Sequence, residues 1–308
     1  MIVYRELGSL VRDLGFSART LYSITNRPWR YYRQASIPKA NGEMRRLYIP
    51  DALLKSVQQR IAAVLLGREP LSIHAKAYRI CGSTRLNAAP HVGRRCVLQL
   101  DIRHFFDSIT YNQVKESVFP ADRYAEPLRV LLTMLCVYPD GLPQGAPTSP
   151  VISNIVMRDF DCRVGAWCRE RRIRYTRYCD DMTFSGSFAP EGVIAFVRDE
   201  LRRMGFFLNE KKIHFAQGGR KKQVTGIVVN EHMNVPAEYR RRLRQEIYYC
   251  RRYGVVSHLR HEQMEMDPET YLHSLLGRIS YALSVWPSAE LTGCRDWVRE
   301  QLKMMHRV

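Results

Sequence analysis

Three aspartates stand where folding alone gives little reason for an acid. Asp101 closes the apolar run Val97-Leu98-Gln99-Leu100 and precedes Phe105-Phe106. A lone buried carboxylate is costly unless something pairs with it. Asp180 and Asp181 are adjacent acids between two extended runs, Ile173 to Tyr178 and Met182 to Ser185. Two like charges in one turn repel unless a cation lies between them. Two Mg²⁺ ions about 3.5–4 Å apart on such acids form a device for in-line phosphoryl transfer. One activates the attacking 3′-hydroxyl and the other carries the leaving group, and carboxylate oxygens suit such hard cations. An Asx-type turn at Asp180-Asp181, and pairing of Asp101 with Arg103 or Arg177, account for the same residues without chemistry.

The elements that must position these acids follow from periodicity and punctuation. Gly15 separates two short N-terminal helices, with Ser17 as N-cap of the second. Extended runs from Arg33 to Pro38 and from Met44 to Ile49 flank Asn41-Gly42, a hairpin signal. Asp51 caps a helix whose expected inward face is Leu53, Leu54, Val57, Ile61, Val64 and Leu65. A buried strand runs from Arg95 to Asp101. Helices are expected over Glu126 to Val137, Pro150 to Arg171 and Gly192 to Met204, with another strand over Val224 to Asn230. Beyond Pro236 the pattern turns helical and strongly basic.

The 308-residue chain carries a net charge of +18, and 45% of it is hydrophobic. That composition is globular, and the charge favours a polyanionic partner. No apolar run reaches membrane-spanning length, and the first residues do not form a signal peptide, so a cytoplasmic protein without a membrane partner is expected. The eight cysteines include no Cys-x-x-Cys pair, which speaks against a zinc ribbon and for reduced, mostly buried thiols.

Longer strings place these residues in a family. Tyr178-Cys179-Asp180-Asp181 resembles the Tyr-x-Asp-Asp motif of reverse transcriptases. Leu100-Asp101-Ile102-Arg103-His104-Phe105-Phe106 resembles the first carboxylate motif of the same palm. Leu142-Pro143-Gln144-Gly145-Ala146-Pro147-Thr148-Ser149-Pro150 resembles the template-and-nucleotide motif between them. Order and spacing agree with the family over roughly Tyr31 to Asn230. Asn87-Ala88-Ala89-Pro90-His91 matches the Asn-Ala-x-x-His signature of retron reverse transcriptases, and Val224-Thr225-Gly226 matches their Val-Thr-Gly signature. Cys179 departs from the Ala that many retron enzymes carry there; both are small.

The resemblance implies an α+β right-hand polymerase, with fingers and palm built from an antiparallel sheet plus helices and with a helical thumb. Residues 1–35 would form an N-terminal helical segment, 36–95 with part of 112–145 the fingers, 96–111 and 146–235 the palm, and 236–308 an RNA-binding thumb. Asp101, Asp180 and Asp181 would be the catalytic ligands of two Mg²⁺ ions. Phe106 would gate against a ribose 2′-hydroxyl, with core packing beside Phe105 as the plain alternative. Gln144 would contact the incoming nucleotide. Lys39 and Arg45, or its neighbour Arg46, would hold the triphosphate. Lys212, better spaced than Lys211, would protonate pyrophosphate.

RNA contacts are expected from Asn87, His91, Val224, Thr225 and Gly226, although Asn87 and His91 would equally staple a loop. Further contacts are expected from Arg240, Arg241, Arg244 and Arg251, which interleave with tyrosines; a solvated helix face is the alternative. The implied activity is copying of a cognate structured non-coding RNA into branched RNA-linked DNA from deoxynucleoside triphosphates. The implied partners are that RNA, its DNA product and an effector protein in antiphage defence. A group II-type or diversity-generating reverse transcriptase is the rival within the fold. A catalytically silent RNA-binding scaffold is the rival outside it.

Overall fold

The computed structural model describes residues 3–38, 42 and 44–305. Lys39 and Asn41 lie outside the described residues. The chain divides into two compact units. Met1–Gly82, Leu98–Phe184 and Phe188–His214 form one; Ser83–Val97, Ser185–Ser187 and Phe215–Val308 form the other.

The first unit opens with α1 (Leu7–Leu14) and α2 (Ala18–Asn26). Gly15 ends α1, and Ser17 Oγ accepts the Thr20 N–H at 3.1 Å to start α2. Strands β1 (Tyr32–Pro38) and β2 (Met44–Pro50) pair antiparallel, from Tyr32 opposite Pro50 to Pro38 opposite Met44. Asp51 caps α3 (Ala52–Arg60) by accepting the Leu54 N–H at 2.8 Å. The helix then continues as a π-helical turn, Ile61–Leu66. That turn corrects the end of the expected face: Leu66 is buried with Leu54, Val57, Ile61 and Leu65, whereas Val64 is half-buried; Leu53, in the first turn of α3 and ahead of the π turn, is exposed. A π turn holds an extra residue, so the buried stripe moves one position along.

Helix α4 (Thr84–Ala88) belongs to the second unit, and the chain returns to the first through β3 (Cys96–Asp101). Next come α5 (Tyr111–Val118) and α6 (Glu126–Cys136). The stretch expected as one helix from Pro150 to Arg171 is two, α7 (Ser149–Val156) and α8 (Arg158–Glu170). Met157 between them sits at φ −83, ψ 0, in the bridge region rather than the helical well. Strands β4 (Arg174–Tyr178) and β5 (Asp181–Gly186) follow as a hairpin, then α9 (Pro190–Arg203) with Pro at its first position. A four-stranded sheet runs in the order β4-β5-β3-β6, with β6 (His214–Gln217) at its edge. Strand β3 is buried at every position but Gln99, as in a strand covered on both faces.

In the second unit the expected strand from Val224 to Asn230 is instead a tight hairpin, β7 (Gln223–Val224) and β8 (Ile227–Val228). Thr225 and Gly226 turn between them at φ 44 and φ 84. Two left-handed central residues make the type I′ geometry that suits a two-residue β-hairpin. Four helices complete the unit: α10 (Ala237–Tyr253), α11 (Val255–His261), α12 (Pro268–Val285) and α13 (Ala289–Met305). Their apolar stripes share one core, including Leu243, Ile247, Leu272, Leu275, Ile279 and Val298, and it takes in Val224 and Ile227 of the hairpin. Each such side chain contributes about 1.5–3 kcal/mol by leaving water.

The whole is α+β. All eight cysteines are free thiols, with only Cys81 and Cys162 exposed. Among the described residues no helix is long and apolar enough to cross a membrane.

Candidate active site

The β4–β5 hairpin turns through Cys179 and Asp180. Cys179 takes a left-handed φ of 62, which is uncommon for a residue with a side chain and needs support from its surroundings. Arg177 supplies part of that support. It is fully buried, donates from Nε and Nη2 to the two oxygens of Asp161 at 2.8 and 2.7 Å, and donates from Nη1 to the Cys179 carbonyl at 2.9 Å. Tyr175 Oη donates to Asp161 Oδ1 at 2.8 Å. Tyr78, itself at φ 56, donates its hydroxyl to Cys179 Sγ at 3.4 Å. Burial, then the charge of Asp180, pushes the Cys179 thiol up to about 12, so it stays protonated at neutral pH.

Strand β3 lies beside β5 in the sheet and delivers Asp101 to the turn. The next residue, Ile102, donates its N–H to the Asp180 carbonyl at 3.2 Å. Asp101 is 6% exposed. Lys212 Nζ donates to its Oδ2 at 2.8 Å, and Asn209 Nδ2 donates to its Oδ1 at 3.0 Å. The partner of Asp101 is therefore Lys212, not Arg103 or Arg177. Arg177 is spent on Asp161, and Arg103 is exposed.

The three acids feel one another. Burial first, then the charge of Asp101, raises the Asp180 carboxyl above its ordinary value. Asp181, although its surface is exposed, is pushed up to about 6 by the surrounding protein displacing water, then by Asp180 and Asp101. Burial works against the Lys212 ammonium, but its hydrogen bond to Asp101 and the charges of all three aspartates outweigh that and raise it. Among the described residues no group of three or more His, Cys, Asp or Glu side chains is arranged to hold a metal ion. The donor chemistry nevertheless fits Mg²⁺: carboxylate oxygens, crowded negative charge, and one corner already taken by a cation.

The expected nucleotide loop lies in the same unit. The Gln144 carbonyl accepts the Tyr48 N–H at 3.1 Å, tying the loop to β2. Gly145 stands at φ 121, where an added Cβ would meet the Tyr48 carbonyl at 3.2 Å. Only glycine suits both the backbone and the close approach. The Gln144 side chain is half-buried. Phe106 is half-buried beside Phe105, ring centres 5.3 Å apart, and its carbonyl accepts the Leu142 N–H at 3.0 Å. Thus the expected gate and the loop are joined through backbone. Arg45 and Arg46 are both exposed on β2. As neighbours on a strand they point to opposite faces.

In the second unit the two short signatures meet. Asn87 Nδ2 donates to Thr225 Oγ1 at 3.4 Å, and Thr225 Oγ1 donates to the Thr84 carbonyl at 3.4 Å. The His91 ring hydrogen-bonds Ser185 Oγ at 2.7 Å. Asn87, His91 and Val224 are each 0% exposed. In this conformation Asn87 holds α4 to the Thr225-Gly226 turn, His91 is held on Ser185, and none of the three side chains is open to solvent. On α10, Leu243 and Ile247 face inward while Arg241, Arg244 and Arg251 are exposed and Arg240 is half-buried. Arg244 lies 3.9 Å from Glu290, and Arg251 donates to the Gly293 carbonyl at 3.1 Å and covers the Trp297 ring. Arg241, with exposed Tyr248 and Tyr253, is the more open side chain.

Three residues of the site carry no distinguishing signal in the sequence: Asn209, Tyr78 and Asp161. Asn209 lies three residues before Lys212, and the short 3₁₀ turn Glu210–Lys212 brings both onto Asp101. Asp161 carried no signal, since it sits amid the charged residues of α8.

A family model described as reverse transcriptase (RNA-dependent DNA polymerase) matches residues 37–229. The retron Mx65 reverse transcriptase of Myxococcus xanthus is 34% identical over 271 residues, covering 80% of this chain and 63% of that protein. The retron Ec86 reverse transcriptase of Escherichia coli is 30% identical over 236 residues, covering 74% of this chain and 73% of that protein. The chain thus spans slightly less than two thirds of the first relative and nearly three quarters of the second. A solved apo telomerase from Candida tropicalis, truncated from its C-terminal domain, aligns with a TM-score of 0.47 and 13% identity over 67% of this chain and 55% of that one. By the family match the fold is of the right-hand polymerase class, and the chain belongs to the reverse transcriptase (RNA-dependent DNA polymerase) family, among the retron reverse transcriptases.

Proposed function

We propose that this reverse transcriptase copies a cognate structured non-coding RNA into DNA by two-metal phosphoryl transfer, with Asp101, Asp180 and Asp181 as the Mg²⁺ ligands. The observation that carries this reading is the gathering of three carboxylates at the β4–β5 turn, two of them with raised pKa values. Excess negative charge at one point is what a pair of divalent cations relieves. Bound Mg²⁺ would supply the Lewis-acid charge that activates the primer hydroxyl and stabilises the leaving pyrophosphate.

The remaining steps belong to side chains of this chain. Gln144 and the Gly145 backbone line the incoming nucleotide, and the Phe106 ring blocks a ribose 2′-hydroxyl. Lys39 and Arg45 bind the triphosphate, and Lys212 gives a proton to the departing pyrophosphate. Residues 36–95 with part of 112–145 act as fingers, 96–111 and 146–235 as palm, and 236–308 as thumb. The exposed arginines and tyrosines of α10 hold RNA through phosphate contact and stacking.

We extend the proposal to the product. Priming from a 2′-hydroxyl within the RNA gives a branched RNA-linked single-stranded DNA, and the enzyme serves antiphage defence in the cytoplasm with an effector protein. Primer extension tests the chemistry: Asp180→Ala and Asp181→Ala should both abolish it, and extension at the parent rate by both would sink the metal reading. Sequencing of nucleic acid co-purified with the chain tests the product. A branched RNA–DNA hybrid is expected; random RNA without DNA would exclude the retron reaction.

A further inference from the structure

Both side-chain oxygens of Asp101 are held by one short turn. Asn209 donates from its backbone N–H to the Asp101 carbonyl at 2.8 Å and from Nδ2 to Oδ1 at 3.0 Å. The Lys212 N–H closes the turn onto the Asn209 carbonyl at 2.9 Å, and Lys212 Nζ reaches Oδ2 at 2.8 Å. The two contacts differ in permanence. Asn209 is anchored through main chain on both sides. The Lys212 side chain is 61% exposed on a flexible stem, whereas the Asp101 side chain is 7% exposed and pinned at the end of β3.

We infer that the Asn209–Lys212 turn is a metal-sensitive clamp, in which Asn209 orients the Asp101 carboxylate through Oδ1 while the Lys212 ammonium occupies Oδ2 until a divalent metal displaces it. The inference rests on the proposed role of Asp101 as a metal ligand. Asn209 is then a positioning residue that stays in place when metal binds. Lys212 is a stand-in cation that stabilises the crowded acids while no metal is bound. The exposed, flexible ammonium can return to water at little cost, while the buried carboxylate cannot turn away. One consequence is order: the ammonium expected to protonate pyrophosphate is withheld on Asp101 until metal has entered.

Mn²⁺ binding separates this arrangement from a merely structural ion pair. Calorimetric titration of Mn²⁺ into the metal-free 308-residue chain is compared across variants, each checked for folding by its melting transition. Removing the competitor in Lys212→Met should tighten Mn²⁺ binding by roughly three- to fivefold, the scale of a partly exposed ion pair. Lys212→Arg, which keeps the charge, should bind as the parent does. Asn209→Ala should weaken binding, since the carboxylate is no longer oriented through Oδ1. Unchanged or weaker binding in Lys212→Met overturns the displacement, and parent-like binding in Asn209→Ala overturns the orienting role. Lys212→Gln replaces the Met variant if that fails to fold. Asp101→Asn distinguishes the two levels. If it binds Mn²⁺ as the parent does, the metal reading of Asp101 itself fails; if it binds poorly while Lys212→Met is unchanged, only the clamp fails.

Discussion

The Arg177 guanidinium holds Asp161 and the carbonyl of Cys179, the residue before Asp180, and the charges of these two aspartates are balanced in opposite ways. Asp161 is fully buried and fully answered: two oxygens, two guanidinium donors and a tyrosine hydroxyl. Asp180 has two acids for neighbours and a single ammonium, which lies on Asp101. The first cluster is neutral within itself and needs nothing from solution. The second carries surplus negative charge at a place where β3, β4 and β5 leave it little freedom to move apart. Charge completed from within supports structure; charge left incomplete on a rigid frame is prepared for something from outside.

Four measurements break or sharpen that contrast. The largest effect is expected at Arg177→Met, which leaves Asp161 buried and unpaired; chemical denaturation should show a loss of about 3–5 kcal/mol. A loss below about 0.5 kcal/mol, the scale of an ordinary surface change, would mean that the Asp161 cluster is not a closed unit. Asp180→Asn should act in the other direction in the absence of metal, raising stability by roughly 1 kcal/mol as like-charge repulsion is relieved. A lower melting temperature in EDTA would show that Asp180 is already compensated within the chain.

Acidity provides the third measurement. The folded-state pKa of Asp181, about 6, lies above the ordinary aspartate value of 3.8. Between those values the folded chain holds more protons than the unfolded one. This contribution is fully present below about pH 4 and is lost as pH rises through about 6. Melting curves in EDTA from pH 5 to 7.5 should therefore fall with pH, and Asp181→Asn should flatten the slope. The smallest effect is expected at Tyr78→Phe, which removes one hydrogen bond to Cys179 and should cost at most about 1 kcal/mol. A much larger loss, read by denaturant titration, would make Tyr78 a main prop of the turn, equal to Arg177.

Much of the fold and the meeting of the three acids was legible, because local signals and global arrangement agree there. The apolar run before Asp101 and the extended runs around Asp180-Asp181 place strands, and the basic periodicity after Pro236 places helices. What stayed hidden depends on geometry that one-dimensional patterns do not carry. The π turn at Ile61–Leu66 changes a face without changing composition. Met157 divides a helix by its dihedral angles alone. Thr225-Gly226 reads as part of a strand because both flanks are β-branched, yet two left-handed residues fold it back. Asn209 and Asp161 sit among other polar residues, and only the folded chain shows which of these reach a buried acid or base.

The hydrogen bond between Asn87 and Thr225 joins residues 138 positions apart, within a unit assembled from three separate stretches of sequence. That discontinuity bears on recombination. A chimera that takes residues 215–308 from a relative and keeps 83–97 from this chain would pair a foreign Thr-Gly turn with a resident asparagine. It would also pair a foreign helical core with a resident Ala88 and Val97. A crossover at a single point near residue 215 therefore cuts through a folding unit, whereas an exchange that moves the two long stretches and Ser185–Ser187 together transfers it whole.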